Sequence, residues 1–231
     1  MATPLSETME SQSDLEKISL LNNYVKLGFH VSKSSSKKLP LFQTFSNFPL
    51  PAAQVYLGNR GAYAPPTVSA EDILETRKYL HNTDTFACVH GCLLYNLAGA
   101  PDHKKDARFQ IKLDGTCRGL LTELDISAGL GCGVVVHTGS CKDKTKGVKT
   151  ICESINHVLT CETPLVLDIA KTLNMPVQNV ISNRKIILEN CAGEGSKLGA
   201  TLDEFATILS GLDKSIIPQV KICFDTAHGF G

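Results

Sequence analysis

The 231-residue chain has no excess charge of either sign, no long apolar run and no nucleotide-binding glycine loop. Lysine plus arginine total 23, as do aspartate plus glutamate, so no global basic field announces a nucleic-acid partner. A neutral sum still leaves room for local basic patches, because binding depends on where the charges lie. No N-terminal stretch has the basic-then-apolar pattern of a secretory signal, and nothing approaches the ~20 consecutive apolar residues of a membrane span, so no membrane partner is expected. GxGxxG does not follow the first strand-like run and GxxxxGK[ST] is absent, which removes the strongest argument for an open nucleotide-binding sheet. Cysteine is plentiful, at nine, but the count is odd, and Cys88, Cys132, Cys191 and Cys223 lie in or beside apolar runs. That pattern argues against a disulfide framework and for an intracellular, reducing compartment, cytoplasm or nucleus. The CxxxC at Cys88 and Cys92 lacks a second pair at zinc-finger spacing.

What is present is a repeating unit. After a polar, mildly acidic extension over residues 1–23, short β-branched or apolar runs alternate with longer amphipathic stretches. The runs are residues 24–31, 53–57, 85–90, 133–137, 185–189 and 220–225, whose length and composition favour buried strands. Helices are expected over 69–80, 104–130, 146–159 and 202–212, and an extra helix and loop inserted near 161–184, broken at Met175-Pro176. Strand alternating with helix argues for parallel strands joined by right-handed crossovers. The fold expected over 24–231 is therefore α/β, a TIM-type β/α barrel; its six units are two short of closure, as if truncated after the sixth strand.

The chemistry lies in what terminates the strands. The third run ends at His90, the fourth at His137, the fifth at Glu189 and the sixth at Asp225, with His228 three residues on. In a parallel barrel the C-terminal ends of all strands meet at one rim, so these side chains converge although distant in sequence. A single strand-end histidine is more often solvated than a ligand; three successive strands ending in His, His and Glu are harder to dismiss. Two imidazoles and a carboxylate suffice for a catalytic zinc with one position open to water. Asp225 and His228 can begin a second or third metal position, and Glu189, with two carboxylate oxygens, is the natural bridge. Ser140 and Cys141 follow His137, but no triad is built around them.

The motifs GFHVS (28–32), HGCLLYNLA (90–98), HTGS (137–140), ENCAGEGSKLG (189–199) and CFDTAHGF (223–230) resemble, in order, the signatures of the endonuclease IV family. These are zinc-dependent apurinic/apyrimidinic (AP) endonucleases of DNA base-excision repair. The resemblance implies a β/α barrel with three zinc ions at its rim, cleaving double-stranded DNA 5′ to an abasic site, with Glu189 holding the nucleophilic water together with the metals. Carried over, His90 and His137 hold one zinc, Glu189 bridges to a second, Asp225 binds that second and His228 a third, with His30 beside the site. DNA contacts are expected from Lys33, Asn59 and Arg60, with Lys37, Lys38, Lys142, Lys144 and Lys146 as further phosphate contacts. Leu93 stands where the family carries an aromatic that fills the gap in the duplex, and Tyr95 is not clearly equivalent to it. Gly193, Gly195 and Gly199 are read as letting the fifth loop turn closely over the metals.

The family pattern continues past DTAHGF with a seventh-strand His, an Asp-x-His and an eighth-strand Glu, none of which lies within these residues. Only the first zinc has all its protein ligands, and two long strand edges are left unpaired, so the chain alone is expected to fold poorly or be inactive unless another chain supplies the rest. It is otherwise expected to act as a monomer. Two other readings remain open: a divalent-metal sugar isomerase or epimerase on a related barrel, and a non-catalytic truncated remnant.

Overall fold

A computed structural model of the chain describes residues 26–32, 40–47, 49–99 and 107–230, the side chains of Ser32 and of 107–114 excepted. The polar extension over 1–23 and the expected DNA contacts Lys33, Lys37 and Lys38 lie outside the described residues.

Six strands, β1 (Gly28–Ser32), β2 (Ala52–Tyr56), β3 (Phe86–His90), β4 (Val134–His137), β5 (Ile186–Glu189) and β6 (Val220–Cys223), form one sheet. All neighbouring pairs are parallel and the spatial order is the sequence order, β1 to β6. That order decides between the two folds the alternation allows. A doubly wound sheet reverses its strand order at a switch point. A sheet that steps in one direction, each right-handed crossover laying its helix on the same side, is the arc of a β/α barrel. Among the described residues β1 and β6 are its edges.

Each strand sends alternate side chains to the two faces. Val55, Val89, Val134, Val136, Ile186 and Leu188 pack against the helices and are fully or almost fully buried. The opposite face carries His30, Tyr56, His90, His137 and Glu189, because Ser32 pairs with Tyr56, His90 with Val135, and His137 with Glu189. Phe29 on β1 and Ile222 with Phe224 at β6 are exposed, as edge positions of the arc.

The helices are α1 (Leu41–Ser46), α2 (Ala70–Asn82), α3 (Ala107–Leu130), α4 (Lys144–Thr160), α5 (Pro164–Leu173), α6 (Val177–Ser182) and α7 (Leu202–Ser210). Four begin with side-chain caps: Ser69 accepts from the Asp72 N–H, Asp143 from Lys146, Thr163 from Val166 and Thr201 from Glu204. Thr201→Ala is expected to lower stability by about 1 kcal/mol, read by denaturant titration, since it orphans a first-turn donor of α7. α1, which the sequence pattern does not announce, begins after Pro40, and its Leu41 and Phe42 N–H groups donate to the Asp72 carboxylate.

The stretch near 161–184 holds two helices rather than one. Asn174 takes a left-handed conformation (φ 51°) that ends α5, and α6 restarts after Pro176. A buried ion pair fastens this stretch to the barrel. Arg184 Nε and Nη2 lie 2.9 and 2.7 Å from Asp125 Oδ1, Nη1 donates to the carbonyls of Val158 and Cys161, and the Thr163 hydroxyl donates to Asp125 Oδ2. One guanidinium thereby ties α3, the end of α4 and the start of α5 to the approach of β5. All nine cysteines are free thiols. Among the described residues no helix is long and apolar enough to cross a membrane.

Candidate metal centre

β3, β4 and β5 end on His90, His137 and Glu189, the residues expected there, and Asp225 lies two residues beyond the end of β6. His228 opens a short 3-10 turn (His228–Phe230) that folds back over β5. The stagger of the barrel brings these ends together. His90 pairs with Val135, so His137 reaches two residues further up the rim, level with Glu189.

Glu189 is the centre of the cluster. Its Oε2 lies 3.4 Å from His90 Nε2 and 3.5 Å from His137 Nε2, whereas Oε1 lies 3.3 Å from His228 Nδ1. Asp225 Oδ2 is 3.6 Å from the same Nδ1, and Asp225 Oδ1 accepts from the His228 backbone N–H at 3.0 Å. Ligand atoms of His90, His137 and Glu189 all lie within 4.8 Å of one another, and so do those of Glu189, Asp225 and His228. The carboxylate thus turns each of its oxygens toward a different group of side chains. Burial pushes the Glu189 carboxyl up, but the histidines outweigh it and hold it well below the ordinary carboxylate range.

The donor set fits a metal on its chemistry. The His90 Nδ1 sits 2.8 Å from the Gly91 carbonyl, an atom that can only accept, so Nδ1 carries a proton and Nε2 is the nitrogen that faces Glu189. Two imidazole nitrogens and a carboxylate oxygen converging on one point are a donor set that a zinc ion accepts.

Below this cluster lies a stack that the strand-end pattern did not reveal. Tyr56 ends β2, stacks on His30 (ring centroids 4.3 Å apart) and tilts against His90 at 4.9 Å, while the Arg60 guanidinium lies 5.4 Å from its centroid. Burial, with His90 and Arg60 nearby, lowers the His30 pKa. The strand-end rule that found His90 also applies to Tyr56; the expected run over 53–57 ended one residue late.

The rim loops are laced to one another. Asn96 donates from Nδ2 to the Ser140 carbonyl (3.2 Å) and accepts the Ser140 N–H at Oδ1 (3.0 Å). Gly139 allows that approach: its φ is +97°, and a Cβ there would lie 2.1 Å from Asn96 Oδ1. The loop after β5 lies along the loop after β4 through a Ser140–Lys197 bridge and the Leu198 N–H to Gly139 carbonyl bond. Gly193, Gly195 and Gly199 all have positive φ, a conformation that glycine adopts without strain.

Of the expected DNA contacts, Arg60, Asn59 and Leu93 stand exposed on this rim, although the Asn59 Oδ1 is occupied by the Gly61 N–H. The Leu93 N–H donates to the Arg60 carbonyl, so the two loops present their side chains together. Leu94 is exposed beside Leu93, whereas Tyr95 is buried. Lys144 is paired with Glu204 at 2.5 Å and Lys146 lies 3.7 Å from Asp143.

Comparison with known proteins agrees with this fold. The family model described as xylose isomerase-like TIM barrel matches residues 50–231. AP endonuclease 1 of Schizosaccharomyces pombe is 29% identical over 165 residues, covering 70% of this chain and 40% of that protein. A probable endonuclease 4 of Geobacter sp. strain M21 is 28% identical over 183 residues, covering 77% of this chain and 54% of that one. The crystal structure of endonuclease IV from Thermus thermophilus superposes with a TM-score of 0.59 at 22% identity, covering 89% of this chain and 64% of that one, a likeness of fold. The chain therefore spans roughly half the length of the curated relatives it matches. It belongs to the xylose isomerase-like TIM barrel family, and its resemblance to endonuclease IV within that family holds.

Proposed function

We propose that this chain carries the catalytic rim of a zinc-dependent AP endonuclease, which hydrolyses the phosphodiester 5′ to an abasic site in double-stranded DNA. The observation that carries the reading is the Glu189 carboxylate, with Oε2 toward His90 and His137 and Oε1 toward the Asp225–His228 turn. His90, His137 and Glu189 would hold one zinc. Glu189 and Asp225 would reach a second, and His228 a third. When bound, the zincs supply a nucleophilic hydroxide at neutral pH and neutralise charge on the phosphate and the departing 3′-oxygen. Glu189 and Asp225 orient the attacking water. Tyr56, stacked on His30 and touching His90, holds the floor of the site rigid. Arg60, with Leu93 beside it, meets the duplex at the lesion. The competing sugar isomerase would want a carboxylate-rich site, and the Oε2 side of Glu189 is imidazole-rich.

The test is zinc titration of the purified chain, followed by binding and nicking assays on duplexes with and without one abasic site. Zinc uptake together with preference for the abasic duplex, abolished by chelator, is expected. A chain that binds no zinc, or turns over a ketose and ignores abasic DNA, would refute the reading. Arg60→Ala is expected to weaken abasic-duplex binding about tenfold, measured by fluorescence anisotropy, with zinc content unchanged.

A further inference from the structure

The Asp225–His228 turn carries two of the candidate ligands and lies beyond the last ladder pair of β5 and β6, Glu189 with Cys223. The residue that holds it is Asn190, which is buried next to Glu189. Its side-chain Nδ2 donates to the Asp225 carbonyl at 3.1 Å, and its Oδ1 accepts the Asp225 N–H at 2.5 Å. Its backbone carbonyl lies 2.9 Å from His228 Nδ1. This repeats, between the loops after β5 and β6, the two-point amide clamp that Asn96 makes between the loops after β3 and β4. The difference lies in the third bond. A carbonyl oxygen can only accept, so His228 must carry its proton on Nδ1, and the lone pair left for a metal is on Nε2.

Nδ1 is the ring atom near Glu189 Oε1 and Asp225 Oδ2, at 3.3 and 3.6 Å. With Nδ1 protonated, His228 cannot ligate between those carboxylates; its free nitrogen faces a different position. We propose that Asn190 is a positioning residue that clamps the Asp225–His228 turn to β5 and fixes the His228 tautomer, so that the Glu189–Asp225 position and the His228 position stay separate. The inference rests on the metal-site reading above, but its first readout needs neither metal nor DNA.

In the metal-free chain at a pH where His228 is neutral, the ring 15N spectrum is expected to show the proton on Nδ1, with a slowly exchanging Asp225 amide. Asn190→Ala keeps the backbone carbonyl but loses both amide bonds to Asp225, so it should release the Asp225 amide to fast exchange and, by freeing the turn to carry His228 away from that carbonyl, move the His228 proton partly to Nε2. Asn96→Ala, which removes the equivalent clamp elsewhere on the rim, should change neither. In zinc titrations, Asn190→Ala should weaken one class of site by about 10–100-fold and leave the class carrying His90 and His137 unchanged. A His228 proton on Nε2 in the unsubstituted chain overturns the proposal, even if Asn190→Ala fails to fold. Uniform weakening of all zinc sites by Asn190→Ala overturns it too. A chain with the expected tautomer that takes up no zinc would instead refute the proposed function and leave the clamp standing.

Discussion

Glu189→Gln is expected to strip both donor sets at once. The carboxamide has one acceptor oxygen and a nitrogen that donates, so whichever way it turns, one of the two sides meets N–H groups where it had an anionic oxygen. His90 and His137 would lose the charge that completes their set, and Asp225 would lose its partner on the other side. Zinc bound at the Oε2 and Oε1 positions should fall together, and the zinc-dependent preference for an abasic duplex should be lost, since one change removes the charge that both positions share. His90→Asn provides the contrast: it removes a donor from the Oε2 side alone, so the Oε1 side should keep its metal. Zinc content by atomic spectroscopy separates the two outcomes. Zinc content unchanged in Glu189→Gln would rule out the bridging role. Because Glu189 is buried and already surrounded by histidines, the variant should remain folded, which circular dichroism checks.

The strand ends were legible because a parallel sheet gives them a common address. His90, His137 and Glu189 each close a β-branched or aliphatic run, and a run's end can be read to within a residue or so without knowing what lies beside it. That margin also explains the miss at Tyr56. A shift of one residue in a strand exchanges its faces, so ending the second run at Leu57, which packs into the core, hid the ring on the open face that touches both His30 and His90. The helices before β5 followed the same logic: Met175-Pro176 marks the break, but only the left-handed Asn174 shows that the chain restarts a second helix.

The fastenings between loops were not legible. Asn96 meets Ser140 across 44 residues, Asn190 meets Asp225 across 35, and Arg184 meets Asp125 across 59. No periodicity or local motif records a bond between one side chain and a distant backbone or side-chain group. Such bonds nevertheless set the positions of the candidate ligands at the strand ends. Which side chains could ligate is written at strand ends, and how they are held is written in residues that look like ordinary loop or helix polar positions.

Glu123 is the polar position of this kind with the largest expected effect on stability. It lies on α3, 3% exposed, and its Oε2 has no hydrogen-bond partner. Burial pushes its carboxyl up to about 8, and hydrogen bonds from the Tyr95 hydroxyl and the Cys92 backbone offset only part of that. The folded chain therefore holds a proton on Glu123 at neutral pH that the unfolded chain, titrating near the usual carboxylate value, has released. Stability attributable to this group is fully present below about pH 4.5, declines as the pH rises toward 8, and levels off above it, with a slope of at most about 1.4 kcal/mol per pH unit. Glu123→Gln keeps a neutral group of the same shape and removes the proton uptake. Its unfolding free energy should run flat where the parent falls, so that the variant gains a few kcal/mol on the parent between about pH 5 and 9 by denaturant titration. Parallel curves for the two proteins would show that Glu123 is ionised in the fold.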